Sequence, residues 1–186
     1  MLDAAAKALG CAQGEKPEVW FEDEAYFGRM SNPVACRAPR GVRPALPLQR
    51  QRQYRNVFGA VCPKSGRTFH KITERNNAEL TGEFLAALSA SRGGARIVIF
   101  LDGASWHKAK ALAVPKNMWL EILPPYSPEL NPAEQLWKHI RAHYTHNQAW
   151  ESLADVDTSL AEAFTSLEAN TETVKSFSLF SWMVYE

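Results

Sequence analysis

The chain has 186 residues, 46% of them hydrophobic and 22% charged, with a net charge of +1. That composition is too apolar for a disordered chain, and the length fits one domain at the usual roughly 150 residues each. No apolar run approaches the roughly 20 residues of a membrane span, and three widely spaced cysteines (Cys11, Cys36, Cys62) exclude a disulfide framework or a Cys-x-x-Cys zinc site.

Residues 1–17 lack the apolar middle of a signal peptide and read as an Ala-rich extension, helical or frayed. Residues 18–29 read as a strand. Alternation puts Val19, Phe21, Asp23, Ala25 and Phe27 on one face and Trp20, Glu22, Glu24 and Tyr26 on the other, so Asp23 is the odd member of an apolar face. Residues 32–50 carry Pro33, Pro39, Pro44, Pro47 and Gly41, which predicts an extended loop. Asn56 to Cys62 and Arg67 to Thr73 follow as two strands joined by the turn Pro63-Lys64-Ser65-Gly66.

Leu80, Phe84, Leu85 and Leu88 fall at helical spacing over 77–91, and Gly93-Gly94 ends that helix. Ile97 to Leu101 is an unbroken apolar run, as expected of a parallel strand buried on both faces. Beyond it the pattern predicts a short helix over 105–114, a strand at 118–123 and helices near 132–146, 151–168 and 171–178. Mixed strands with helices packed on them make an α/β layer fold, in which function gathers beyond the carboxyl ends of central strands.

Charge is segregated. Residues 29–75 hold eleven basic side chains, nine of them Arg, against the single acid Glu74, while residues 151–186 hold seven acids against Lys175. Arginine's planar fork matches phosphate, so Arg40, Arg43, Arg50, Arg52 and Arg55 are candidates for contact with a nucleic-acid backbone; the plainer reading is a solvated loop.

Three acids stand out by context. Asp23 lies on the apolar face of the first strand and Asp102 ends the most hydrophobic one. Glu134 follows a turn with four prolines in nine residues, Pro124 to Pro132, which aims the next helix stiffly. Each has a structural alternative: an Arg partner for Asp23, an Asp-Gly turn for Asp102, and a capping box with Asn131 for Glu134. If the three converge, their repulsion calls for a divalent cation, and hard oxygen donors select Mg²⁺ or Mn²⁺. Trp106, His107 and Lys108 follow Asp102 closely enough to line such a site, or else begin a helix. His139 and His143 have the spacing of a zinc pair but no Glu beside the first His.

Three stretches together resemble the motifs of bacterial insertion-sequence transposases of the mariner superfamily. They are Phe21-Glu22-Asp23-Glu24-Ala25-Tyr26-Phe27-Gly28, Ile99 to His107 (Ile-Phe-Leu-Asp-Gly-Ala-Ser-Trp-His), and Leu123 to Trp137 with its Pro-Pro-Tyr-Ser-Pro-Glu-Leu-Asn-Pro turn. The 31 residues between Asp102 and Glu134 fit the spacing of that branch. The resemblance implies a ribonuclease H-like mixed β-sheet flanked by α-helices, with a catalytic domain over 18–186. It implies an Asp-Asp-Glu triad of Asp23, Asp102 and Glu134 holding two Mg²⁺ or Mn²⁺ ions, with cleavage of transposon-end DNA and strand transfer to target DNA in the bacterial cytoplasm, at the nucleoid. Basic residues near the site, including His107 and Lys108, would meet that DNA.

Two departures accompany it. Members usually carry an N-terminal helix-turn-helix region, for which nothing before Val19 has room, and Arg37 stands where a Trp is common. The expectation is therefore a catalytic domain alone, with room for a homodimer and for a separately encoded helix-turn-helix partner. The competing readings are a catalytically silent DNA-binding relic and another ribonuclease H-like nuclease.

Overall fold

The computed structural model describes residues 2–12, 14–31, 33–45 and 48–183; Asn32, Leu46 and Pro47 of the expected loop lie outside the described residues. A short helix, α1 (Leu2–Ala8), precedes three strands, β1 (Glu18–Met30), β2 (Arg50–Cys62) and β3 (Arg67–Thr73). Helix α2 (Ala78–Ser91) leads to β4 (Ile97–Leu101) and β5 (Met118–Ile122). The chain ends in α3 (Ala133–Ile140), α4 (Leu153–Ala169) and α5 (Thr171–Ser178).

One five-stranded sheet runs in the order β3-β2-β1-β4-β5. β1, β2 and β3 pair antiparallel, as a meander of consecutive strands does, whereas β4 pairs parallel with both β1 and β5. All five residues of β4 are buried, as its unbroken apolar run predicts. Alternation along β1 sends Phe21, Ala25 and Phe27 into a core shared with α3, α4 and α5, and Trp20 into a second core under α2. Burying Phe84, Leu85 and Leu88 of α2 there contributes about 1.5–3 kcal/mol each. Ala5 of α1 is buried in the first core, so the N-terminal helix is docked on the sheet.

Two expectations change. β2 begins at Arg50, so the basic segment enters the sheet earlier than its side chains suggest. The expected helix over 105–114 does not form; residues 104–112 make isolated i+3 turns. Trp106 and His107 are adjacent yet both reach acids of β1, and a regular helix would point neighbours about 100° apart.

Candidate active site

Because β1 and β4 run parallel in the register Phe21–Phe100, they carry Asp23 and Asp102 to the same end of the sheet. Asp102 is the first residue past β4, and its carboxylate accepts the Ala104 N–H (2.9 Å) in a turn. The turn role anticipated for Asp102 is thus real, and it leaves the side chain half exposed (52%) beside Asp23. Carboxylate oxygens of Asp23, Glu24 and Asp102 lie within 4.8 Å of one another.

Glu134 is carried by α3, which packs on the face of the sheet that Asp23 occupies. Asn131, buried in the proline turn, donates through Nδ2 to the Glu22 carbonyl (3.0 Å) and accepts the Ala133 N–H (3.1 Å). Those two bonds pin the start of α3 to β1. Asn131 thus caps the first turn of α3 as expected, but its own N–H donates to the Pro128 carbonyl (3.0 Å) and not to Glu134, so the reciprocal capping box considered for Glu134 is not made. Burial first, and then the charge of Glu134, push the Asp23 carboxyl up to about 7. Trp137 Nε1 donates to Asp23 Oδ2 (3.0 Å), and no Arg pairs with Asp23 among the described residues. The indole reaches it because Gly59, directly opposite Asp23 in β2, leaves the space: a Cβ there would lie 2.2 Å from the Trp137 ring.

The opposite face of β1 holds acids too. Glu22 is fully buried, and the His107 imidazole sits between Asp102 Oδ1 (2.9 Å to Nδ1) and Glu24 Oε1 (3.2 Å to Nε2). Trp106 Nε1 donates to Glu24 (2.7 Å). Burial opposes charge on His107, but Glu24 and Asp102 outweigh it and raise the pKa; burial, and then the neighbouring acids, push Glu22 well above the carboxylate range.

The basic candidates divide. Arg40, Arg43, Arg50, Arg52 and Lys108 are exposed, and the Lys108 ammonium lies over Gly103, next to Asp102. Arg55 and His107 do not have the placement expected of phosphate contacts. Arg55 is held by a two-pronged ion pair with Asp157 (2.9 Å), and the His107 side chain is wholly buried among carboxylates. The His139 and His143 rings lie 4.4 Å apart with planes tilted by 41°, His139 stacks on Phe177, and neither histidine joins a group with metal-ligand spacing among the described residues.

The alternation of β1 assigns Glu22 and Glu24 no role in a site, and neither pattern nor spacing gives one to Trp137. The available signal was Trp20, an aromatic on the face of β1 that also carries both glutamates.

A family model described as DDE superfamily endonuclease matches residues 18–157. The uncharacterized protein y4pE/y4sA of Sinorhizobium fredii (strain NBRC 101917 / NGR234) is 35% identical over 127 residues, covering 68% of this chain and 94% of that protein. Among solved structures, a pre-cleavage Mos1 transpososome superposes with a TM-score of 0.61 at 14% identity, over 94% of this chain and 60% of that one. The Mos1 mariner paired-end complex with Mn gives 0.59 at 17%, covering 95% and 59%. The Mos1 strand transfer complex gives 0.57 at 17%, covering 94% and 59%. The chain thus spans about six tenths of the Mos1 chains, and the shared fold is the ribonuclease H-like one.

Proposed function

Because the chain belongs to the DDE superfamily of endonucleases, we propose that its residues 18–186 form a metal-dependent polynucleotidyl transferase domain that cuts transposon-end DNA and joins it to target DNA. One observation carries this reading. Asp23 and Asp102 meet at the ends of adjacent parallel strands, and Glu134 is close enough to raise the pKa of Asp23. Crowded carboxylates with no Arg or Lys ion pair among the described residues suit hard divalent ions, and Asp23, Asp102 and Glu134 would hold two Mg²⁺ or Mn²⁺. Such ions, when bound, would activate a water or the DNA's own 3′-hydroxyl as nucleophile and stabilise the leaving oxygen of an in-line displacement at phosphorus. Mos1 complexes solved with Mn and with Mg support the same choice of cation here.

The chain's own residues do the positioning. Asn131 and the proline turn set Glu134 against the sheet, and Trp137 orients Asp23 through its indole N–H. Arg40, Arg43, Arg50, Arg52 and Lys108 are placed to meet phosphates. No helix among the described residues is long and apolar enough to cross a membrane; the reading places the domain in the bacterial cytoplasm, at DNA.

Nicking of supercoiled plasmid with Mg²⁺ or Mn²⁺ tests this. The parent is expected to nick, while Asp102→Asn and Glu134→Gln lose about 100-fold or more yet melt like the parent. A parent that binds DNA without nicking it identifies a silent relic, and variants that still nick overturn the triad.

A further inference from the structure

The cluster on the α2 side of β1 has needs that its hydrogen bonds leave unmet. Both carboxylate oxygens of Glu22, which is fully buried, and Nε2 of His107 have no hydrogen-bond partner. Nδ1 of His107 is taken: it lies 2.9 Å from Asp102 Oδ1 and 3.2 Å from the Asp102 carbonyl oxygen. Both of those atoms are acceptors, so Nδ1 carries a proton. Nε2 faces Glu24 Oε1 at 3.2 Å and Glu22 Oε2 at 3.6 Å. A lone pair aimed at two carboxylates is repulsive, and a proton on Nε2 can serve only one of them. It leaves the other Glu22 oxygen with no donor, in a place water does not reach.

A divalent cation would take up His107 Nε2 and one oxygen of each glutamate at once. One nitrogen and an oxygen from each glutamate lie within 4.8 Å of one another. We propose that Glu22, Glu24 and His107 hold a first-row transition-metal ion, Zn²⁺ by donor type, in a buried structural site distinct from Asp23, Asp102 and Glu134. One imidazole with two carboxylates suits Zn²⁺ better than Mg²⁺. The bond from Nδ1 to the Asp102 carboxylate is the outer-shell contact that fixes the tautomer of a metal-binding histidine. Trp106, donating to Glu24, holds the second carboxylate in place. The ion would fasten the irregular segment after β4 to β1, and with it the backbone that carries Asp102.

The site is tested on the full chain, stripped with chelator and titrated with Zn²⁺ and Co²⁺ by calorimetry and visible absorption. The parent is expected to bind one Zn²⁺ per chain tightly, to melt several degrees higher with it, and to give the visible bands of low-coordinate Co²⁺. Glu22→Gln and His107→Gln lose this binding, Asp102→Asn weakens it roughly 10–100-fold, and Asp23→Asn leaves it intact. Glu22→Gln keeps side-chain size and sheds the buried charge, so its metal-free melt reports whether the fold survives. Absence of stoichiometric Zn²⁺ and Co²⁺ binding in the parent overturns the proposal. So does binding that survives in a folded Glu22→Gln variant or vanishes with Asp23→Asn.

Discussion

His70 lies flat on Phe164, ring centroids 3.8 Å apart and planes within 4°, and burial lowers its pKa to about 4. Its Nδ1 is 3.9 Å from Glu168, but an imidazole neutral at pH 7 makes no ion pair there. In the unfolded chain His70 takes up a proton near pH 6.5, which the folded chain resists down to about pH 4. The unfolded state therefore binds more protons across that window. Stability is full above pH 6.5 and falls as pH drops towards 4, by on the order of 3 kcal/mol. His70→Phe keeps the stack and is expected to remove that share of the acid sensitivity, as measured by urea midpoints between pH 7.5 and 4.5. At this scale the sequence was informative where context was unusual: Asp23 among apolar neighbours, Asp102 after an all-apolar strand, Glu134 after a rigid turn. Glu22 and Glu24 were illegible because a charged residue on an alternating strand reads as solvent-facing. Only α2 packing under that face, and His107 arriving from beyond β4, make it interior.

Helix α3 meets the sheet through one residue-deep gap. Its Trp137 ring fills the space above Gly59 and, from there, bonds Asp23. Gly59→Ala puts a methyl group into that ring and should cost about 1–3 kcal/mol by overpacking. Trp137→Phe removes the two ring atoms nearest that methyl group, at 2.2 and 2.7 Å. In the Trp137→Phe background the cost of Gly59→Ala should therefore shrink, giving a coupling of at least about 0.5 kcal/mol in a denaturation double-mutant cycle. Additive costs would show that the ring does not depend on the glycine. Elements whose signal was local were legible: β4 from its apolar run, α2 from its spacing, α5 from its boundaries. The helix expected after Asp102 was not, since the bonds that unwind it come from Glu24, more than 80 residues earlier in the chain.

Across the whole molecule, the charge asymmetry of the sequence is partly spent inside the fold. Arg55 pairs with Asp157 of the acidic C-terminal third, and Arg92 and Arg67 both reach Glu18. Arg40, Arg43, Arg50, Arg52 and Lys108 remain exposed, and in the proposed function they are the phosphate contacts. Five neutralised phosphates give a slope of about −4.5 in log affinity against log salt. A filter-binding or anisotropy series on duplex DNA is expected to show that slope, with Arg50→Ala reducing it by about 0.9 for every sequence tested. A slope near zero would remove this surface from DNA binding.

The β1–β2 ladder is unbroken from Phe21–Val61 to Gly28–Tyr54 and then shifts before Met30–Arg50, at a glycine whose Cβ would lie 2.2 Å from the Gln53 carbonyl oxygen. A one-residue slip in a strand turns every side chain to the opposite face. An insertion between Phe21 and Asp23 would thus turn Asp23 to the face that its glutamate neighbours occupy. Past the bulge the same insertion is absorbed where pairing has already skipped a step. β1 is a ruler over its first eleven residues and slack cord beyond them, so the basic arm can change length over generations without disturbing the carboxylates measured out below it.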